Sequence, residues 1–209
     1  FSRGKNKDEA LEKIPYEVKS FFSWLGYEVP SLIDTRIVQE EYSDIKIDDA
    51  DSVVIFDTEK LGLDIKKYQE LKSIALKSAN DMLLLYEAFL DKNKSCLYPR
   101  DTFYGKRPCT AYEMYEHTKN VNSYYFGEIG VDVSNDGSIV QNRMRGFEAL
   151  ELRSDFLAPK VYEGSFDEQW SVMKVLRRFI WHDRIHAKAM YRMGIKTFGA
   201  ENIPNVFKF

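Results

Sequence analysis

The chain has 209 residues, 44% of them hydrophobic, with 30 basic and 33 acidic side chains and a formal net charge of -3. The length fits one large or two small domains, and the near-balance of charge gives no electrostatic reason to expect nucleic acid or an anionic membrane as a main partner. No apolar run approaches the roughly 18 residues that span a bilayer, no signal-peptide pattern opens the chain, and the two cysteines, Cys96 and Cys109, are too few for a four-thiolate zinc module. A reduced, cytoplasmic setting is the simplest expectation, with a bridge between the two cysteines as the alternative.

The chain changes character near residue 60. Before it, Asp8 to Leu25 carries Ala10, Leu11, Ile14, Val18, Phe21, Phe22 and Leu25 at helical spacing. Gly26 ends this helix, and Pro15 predicts a kink or a start later than Asp8. Thr35 to Tyr42 and Ser52 to Asp57 are β-branched runs that predict two strands, separated by the acidic turn Asp48-Asp49-Ala50-Asp51. Residues 1–60 therefore read as a small α+β segment, short for an independent domain.

After residue 60 helices dominate. Lys66 to Leu90 carries a broad apolar stripe from Tyr68 to Phe89. A polar loop, Asp91 to Cys109, follows. Thr110-Ala-Tyr-Glu113 has the spacing of a capping box, which predicts a helix from Thr110 to about Glu128. Gln141 to Phe156 reads as a shorter helix. Ser165-Phe-Asp-Glu168 is a second capping-box pattern, and it predicts the longest helix, running to about Met193 with Gly194 as its stop. Four helices predict a mainly α fold, a bundle. The long second connection allows an up-down-down-up order, with the second and fourth of these helices antiparallel.

The chain contains three histidines, and all fall on predicted helices. His182 and His186 form a His-x3-His pair, which places both rings on one helix face, one turn apart. Val175, Leu176, Phe179 and Met190 share that face, so the pair points inward. His117 shares a stripe with Met114, Val121 and Tyr125. It lies roughly 10 Å into its helix, and the pair lies roughly 12–18 Å from the end of theirs. If the two helices are antiparallel, the three rings meet at similar height. Three neutral imidazoles suit zinc, nickel, iron or cobalt, and three protein ligands leave a position open for water or substrate. Such an ion lowers the pKa of a bound water or thiol. The alternative is a set of core histidines bonded to backbone or to Asp183.

Neighbouring residues have double readings. Glu113 is a helix cap, or an acceptor behind the His117 ring or a general base beside it. Asp183 orients an imidazole, or pairs with Arg184 or Lys188. Asn120 and Tyr124 lie one and two turns beyond His117 and line the same cavity, or Tyr124 is ordinary core. Cys109 is a thiol at a helix N-terminus, or a passive loop cysteine. Arg177 and Arg178 receive an anionic substrate, or form a solvated basic pair.

Glu113-Met-Tyr-Glu-His117 followed by Ile180-Trp-His-Asp-Arg-Ile-His186 resembles the DinB-like (YfiT-like) superfamily over residues 63–209. The resemblance implies an up-down-down-up four-helix bundle with His117, His182 and His186 as ligands of one divalent metal ion, zinc or nickel first and iron as the alternative. Family chemistry includes thiol-dependent S-transfer and an isomerisation. It implies a metal-dependent transferase, isomerase or hydrolase acting on a small molecule, with a low-molecular-weight thiol as one candidate. Phe1-Ser-Arg-Gly-Lys and Asp8-Glu-Ala-Leu-Glu-Lys-Ile14 resemble the middle of a HicB-like antitoxin module. Its preceding strands would lie upstream of Phe1, and the bundle stands where its DNA-binding tail would be. That second resemblance implies a packing or dimerisation element, and with it a non-catalytic regulatory protein that binds a partner or a second copy of itself.

Overall fold

The computed structural model describes residues 1–47, 53–102 and 105–209. The fold is mainly helical. Its elements are α1 (Lys7–Leu25), α2 (Ile65–Glu87), α3 (Ala111–Gly127), α4 (Ile139–Glu151) and α5 (Val172–Phe198). Two small antiparallel pairs join them, β1 (Asp101–Thr102) with β2 (Gly105–Lys106), and β3 (Tyr162–Glu163) with β4 (Gln169–Trp170).

Local chemistry sets the helix boundaries. α1 starts earlier than Pro15 suggests: the Asn6 side chain accepts the Glu9 N–H at 2.9 Å, and the helix continues through Pro15. It ends at Gly26, whose φ of 73° is the left-handed conformation that closes a helix. Asp64 caps α2 by accepting the Lys67 N–H. α2 stops at Glu87, short of Leu90, and Phe89 turns inward against Phe198. The Thr110–Glu113 capping box forms as its spacing predicts. α4 begins two residues earlier than expected, on a Ser138–Gln141 capping box, and stops at Glu151 instead of Phe156.

Two expectations are overturned. Ser165–Glu168 does not open the last helix. Phe166 and Asp167 have positive φ there, which breaks helical propagation, and the segment is a short 3-10 turn between β3 and β4. Ser171 is the real cap, accepting the Lys174 N–H at 3.1 Å. Gly194 is not a stop: it lies inside α5, where the ring of Phe89 packs so closely that a Cβ would sit 2.6 Å from it. The helix runs on to Phe198.

The expected strands of the first segment are also absent among the described residues. Thr35 to Tyr42 is irregular and almost wholly exposed, and residues 53–56 form no ladder. A strand needs a paired neighbour as well as β-branched residues, and neither run has one. Asp48-Asp49-Ala50-Asp51 and Ser52 lie outside the described residues. α1 instead packs on the helical body. Its Trp24 is buried in the common core, donates its indole N–H to Asp81 of α2 at 2.7 Å and stacks on Phe207.

Contacts between helices fix their relative directions. Ser78 meets Asp183 and Phe89 meets Phe198, so α2 and α5 run the same way. Tyr68 meets Phe147 and Glu151 while Ala75 meets Arg143, so α4 opposes α2. Tyr115 bonds Ile139 and Asn122 bonds Asn142, so α3 runs with α4. His117 lies beside His186 and Tyr125 beside Phe179, so α3 opposes α5. Phe126, Phe147, Phe179, Met82 and Leu85 fill the space between these four helices. Among the described residues no helix is long and apolar enough to cross a membrane.

Candidate metal centre

The opposed directions of α3 and α5 bring the three histidines together. One potential ligand atom from each of His117, His182 and His186 lies within 4.8 Å of the other two. Ring centroids are 5.0 Å apart for His117 and His182, 4.6 Å for His117 and His186, and 4.4 Å for His182 and His186. His182 is buried, and neither of the others is fully so. The cluster therefore has a closed side within the core and a more open side toward His117.

Their electrostatics follow from burial. Desolvation pushes His182 well below the usual imidazole range, helped by His186, His117, Arg178 and Arg143. His186 is pushed down to about 3, first by burial and then by His117. Burial lowers His117 as well. All three rings are neutral at neutral pH, which is the form that ligates metal.

The donor set fits a divalent cation. Nε2 of His182 and Nε2 of His117 face each other at 3.2 Å. Two imidazoles bound tetrahedrally to one ion at about 2.0–2.1 Å would put their nitrogens about 3.3 Å apart. Among the described residues His186 contacts the other two rings, and Nδ1 of His182 is buried without a hydrogen-bond partner. Metal-ligating imidazoles usually donate their second N–H to an acceptor behind them. Here the fit lies in the converging nitrogens, and the acceptor behind His182 is missing.

The residues around this cluster divide clearly. The Glu113 carboxylate accepts the N–H groups of Cys109 and Thr110 at 2.8 and 3.1 Å, so it caps α3. Asp183 turns away from the rings and pairs with Arg143 and Ser78. Neither Arg184 nor Lys188 is its partner, since these bond Ser20 and Glu17. Asn120 is exposed, and its carbonyl accepts from Asn135. Tyr124 packs edge-on against Trp170. Its neighbour Tyr125 is the tyrosine beside the site, 5.9 Å from His182. Both cysteines are free. Cys109 is buried, with its sulfur against the carbonyls of Tyr98 and Arg107.

Arg177 and Arg178 are not a solvated pair. Arg177 bonds Glu59 and the Val54 carbonyl. Arg178 is buried one turn before His182, over the Tyr125 ring, and donates to the Tyr125 hydroxyl at 3.3 Å. Arg143 and Tyr125 are the neighbours that sequence reasoning did not assign to the site. Arg143 carried a signal, because it shares its helix stripe with Ile139, Phe147 and Leu150.

No family model matches the chain, and no curated protein or solved structure is similar to it at a significant level.

Proposed function

We propose that this chain is a divalent-metal protein of the DinB-like kind, an up-down-down-up four-helix bundle in which His117, His182 and His186 hold one ion and leave a position open for a small-molecule substrate. The observation that carries this reading is the convergence of three neutral imidazoles, from two opposed helices, with almost no hydrogen-bond partner but one another. The pairwise helix directions support the bundle order. Zinc and nickel suit three nitrogen donors, and iron is the alternative. A bound ion of this kind supplies Lewis acidity, lowering the pKa of a coordinated water or thiol.

The chain's own residues define the rest of the reaction space. His117 stands on the open side and His182 on the buried side, so a substrate enters past His117. Glu113 and Asp183 are both committed to structural bonds. Glu116, directly before His117, pairs with Lys119; none of these three carboxylates is placed as a general base, which favours chemistry in which the substrate is itself the nucleophile, as in thiol S-transfer. For the HicB-like regulatory reading, the strand expected after α1 does not form among the described residues.

The test is elemental analysis of protein purified without an affinity tag, beside His117→Ala and His182→Ala variants. The expected result is about one equivalent of zinc, nickel or iron, lost in both variants. No uptake after reconstitution with each ion in turn would overturn the reading.

A further inference from the structure

α4 supplies no histidine, yet two successive residues in it bond the two helices that do. The Asn142 carbonyl accepts the Asn122 side-chain N–H of α3 at 3.0 Å. Arg143, the next residue, grips Asp183 of α5: Nη1 donates to Oδ2 at 3.1 Å and Nη2 to Oδ1 at 3.2 Å. Nη1 also donates to the Ala75 carbonyl of α2 at 3.2 Å, and the Ser78 hydroxyl of α2 donates to Asp183 Oδ2 at 2.5 Å. Arg143 and Asp183 are both fully buried, and the guanidinium lies 3.6 Å from the Phe179 ring centroid.

The position of Asp183 gives this network its meaning. It follows His182 directly, about 100° round the helix. When its carboxylate is drawn toward α2 and α4, His182 is turned toward α3. Apolar packing at this level would tolerate several small rotations of α5. A two-pronged Arg–carboxylate pair tolerates one arrangement. Buried ion pairs contribute little net stability compared with apolar residues of similar size, and fixing register is their best-attested use. Ligand sets also work only when held within about 0.5 Å of their geometry.

We propose that Asp183 and Arg143 are positioning residues for the three-histidine cluster: their pair fixes the rotation and height of α5 against α4, and so holds His182 and His186 opposite His117. The functional meaning of this role rests on the metal-site reading, but the geometry does not.

The test uses the full chain and two readouts. The first is the nuclear Overhauser effect between the ring protons of His117 and those of His186 in metal-free protein. Three histidines in the chain make this spectrum simple, and a 4.6 Å centroid separation places the rings in range. The second is zinc affinity, by competition with a chelator. The variants are the double change Arg143→Met with Asp183→Leu, which removes both charges together, and the milder Ser78→Ala. The double variant is expected to keep its helical content and cooperative unfolding, to lose the inter-ring effect, and to bind zinc about 10- to 100-fold more weakly. Ser78→Ala is expected to move both readouts in the same direction by less. An unchanged inter-ring effect and unchanged zinc affinity in a folded double variant would overturn the proposal. If the double variant does not fold, Ser78→Ala decides on the same two readouts. If the parent shows the inter-ring effect but takes up none of zinc, nickel and iron, the metal reading fails alone and the ring spectrum of the variants still decides the positioning role. A parent without the inter-ring effect overturns the proposal together with the cluster geometry.

Discussion

Two groups of polar side chains interrupt the apolar core along α5, and they differ in how their hydrogen-bonding capacity is met. In the Arg143–Asp183–Ser78 group both carboxylate oxygens are taken, two of the three guanidinium nitrogens donate, and the Ser78 hydroxyl donates to the carboxylate. In the histidine group, which includes the residue directly before Asp183, the sole hydrogen-bonding contact among the described residues is between two of its own members. Buried polar groups are ordinarily paired, and an exception calls for an explanation such as an ion or a water. Single unpaired buried atoms also occur at Arg143 Nε in the first group and at Trp170 Nε1, but among the described residues only the histidines bring three ligand atoms together. The contrast separates a cluster whose charged groups pair with one another from one whose converging ligand atoms a bound ion would pair.

The sharpest way to break the contrast is to damage the ion-paired cluster. Arg143→Ala leaves the Asp183 carboxylate buried and unpaired, and it is expected to cost about 3–5 kcal/mol, read from urea unfolding. A loss below about 1 kcal/mol, the usual range for surface pairs, would mean that the two groups do not differ as described. The histidine cluster should respond in the opposite sense when an ion is bound. Zinc at a hundredfold excess over its dissociation constant is expected to stabilise the parent by about 2.7 kcal/mol, with no gain in His182→Ala. Stabilisation that survives His182→Ala would place the ion elsewhere.

These two clusters were unequally legible in the sequence. The His-x3-His spacing and the apolar stripe around it carry directional information, because helix geometry converts spacing into a face. The Thr110–Glu113 capping box was legible for the same reason, each partner being local. Arg143 was harder. Its stripe pointed inward, but arginine is normally a surface residue, and its partner lies 40 residues away on another helix. The start of α5 was misread because two serines compete for it. Ser165 has the better pattern, and the left-handed backbone at Phe166 and Asp167 gives the role to Ser171. Thr35 to Tyr42 failed as a strand because sequence records propensity and leaves out the partner that a ladder requires.

A smaller effect comes from protons. Burial holds His186 down to about 3 and His182 well below its ordinary value, whereas both titrate near 6.5 in an unfolded chain. Between those limits the unfolded chain binds more protons than the folded one. The metal-free protein therefore loses stability as pH falls from 7 through 6.5 and onward toward 3. From pH 7 to pH 5 the loss is about 2 kcal/mol for His186 alone, measured by urea unfolding with a chelator present. A flat profile over that window would mean that the rings are solvated in the folded state, and the contrast between the two clusters would disappear.

The smallest expected effect is the most discriminating, because it compares adjacent residues. His182→Leu replaces a buried ring whose Nδ1 lacks a partner with an apolar side chain. In metal-free protein the lost contacts are offset by relief of the unpaired Nδ1, so stability is expected to stay within about 1 kcal/mol of the parent or to rise. Asp183→Leu, one position along, leaves Arg143 buried without its carboxylate and is expected to be far more damaging. Comparing the urea midpoints of the two variants in chelator, and then with zinc added, resolves the cause. If His182→Leu is neutral without metal and forfeits the zinc gain, the ring is held in place for a ligand at the expense of the apolar packing available there. If His182→Leu is as damaging as Asp183→Leu in chelator, His182 is structural, and the two clusters on α5 are of one kind.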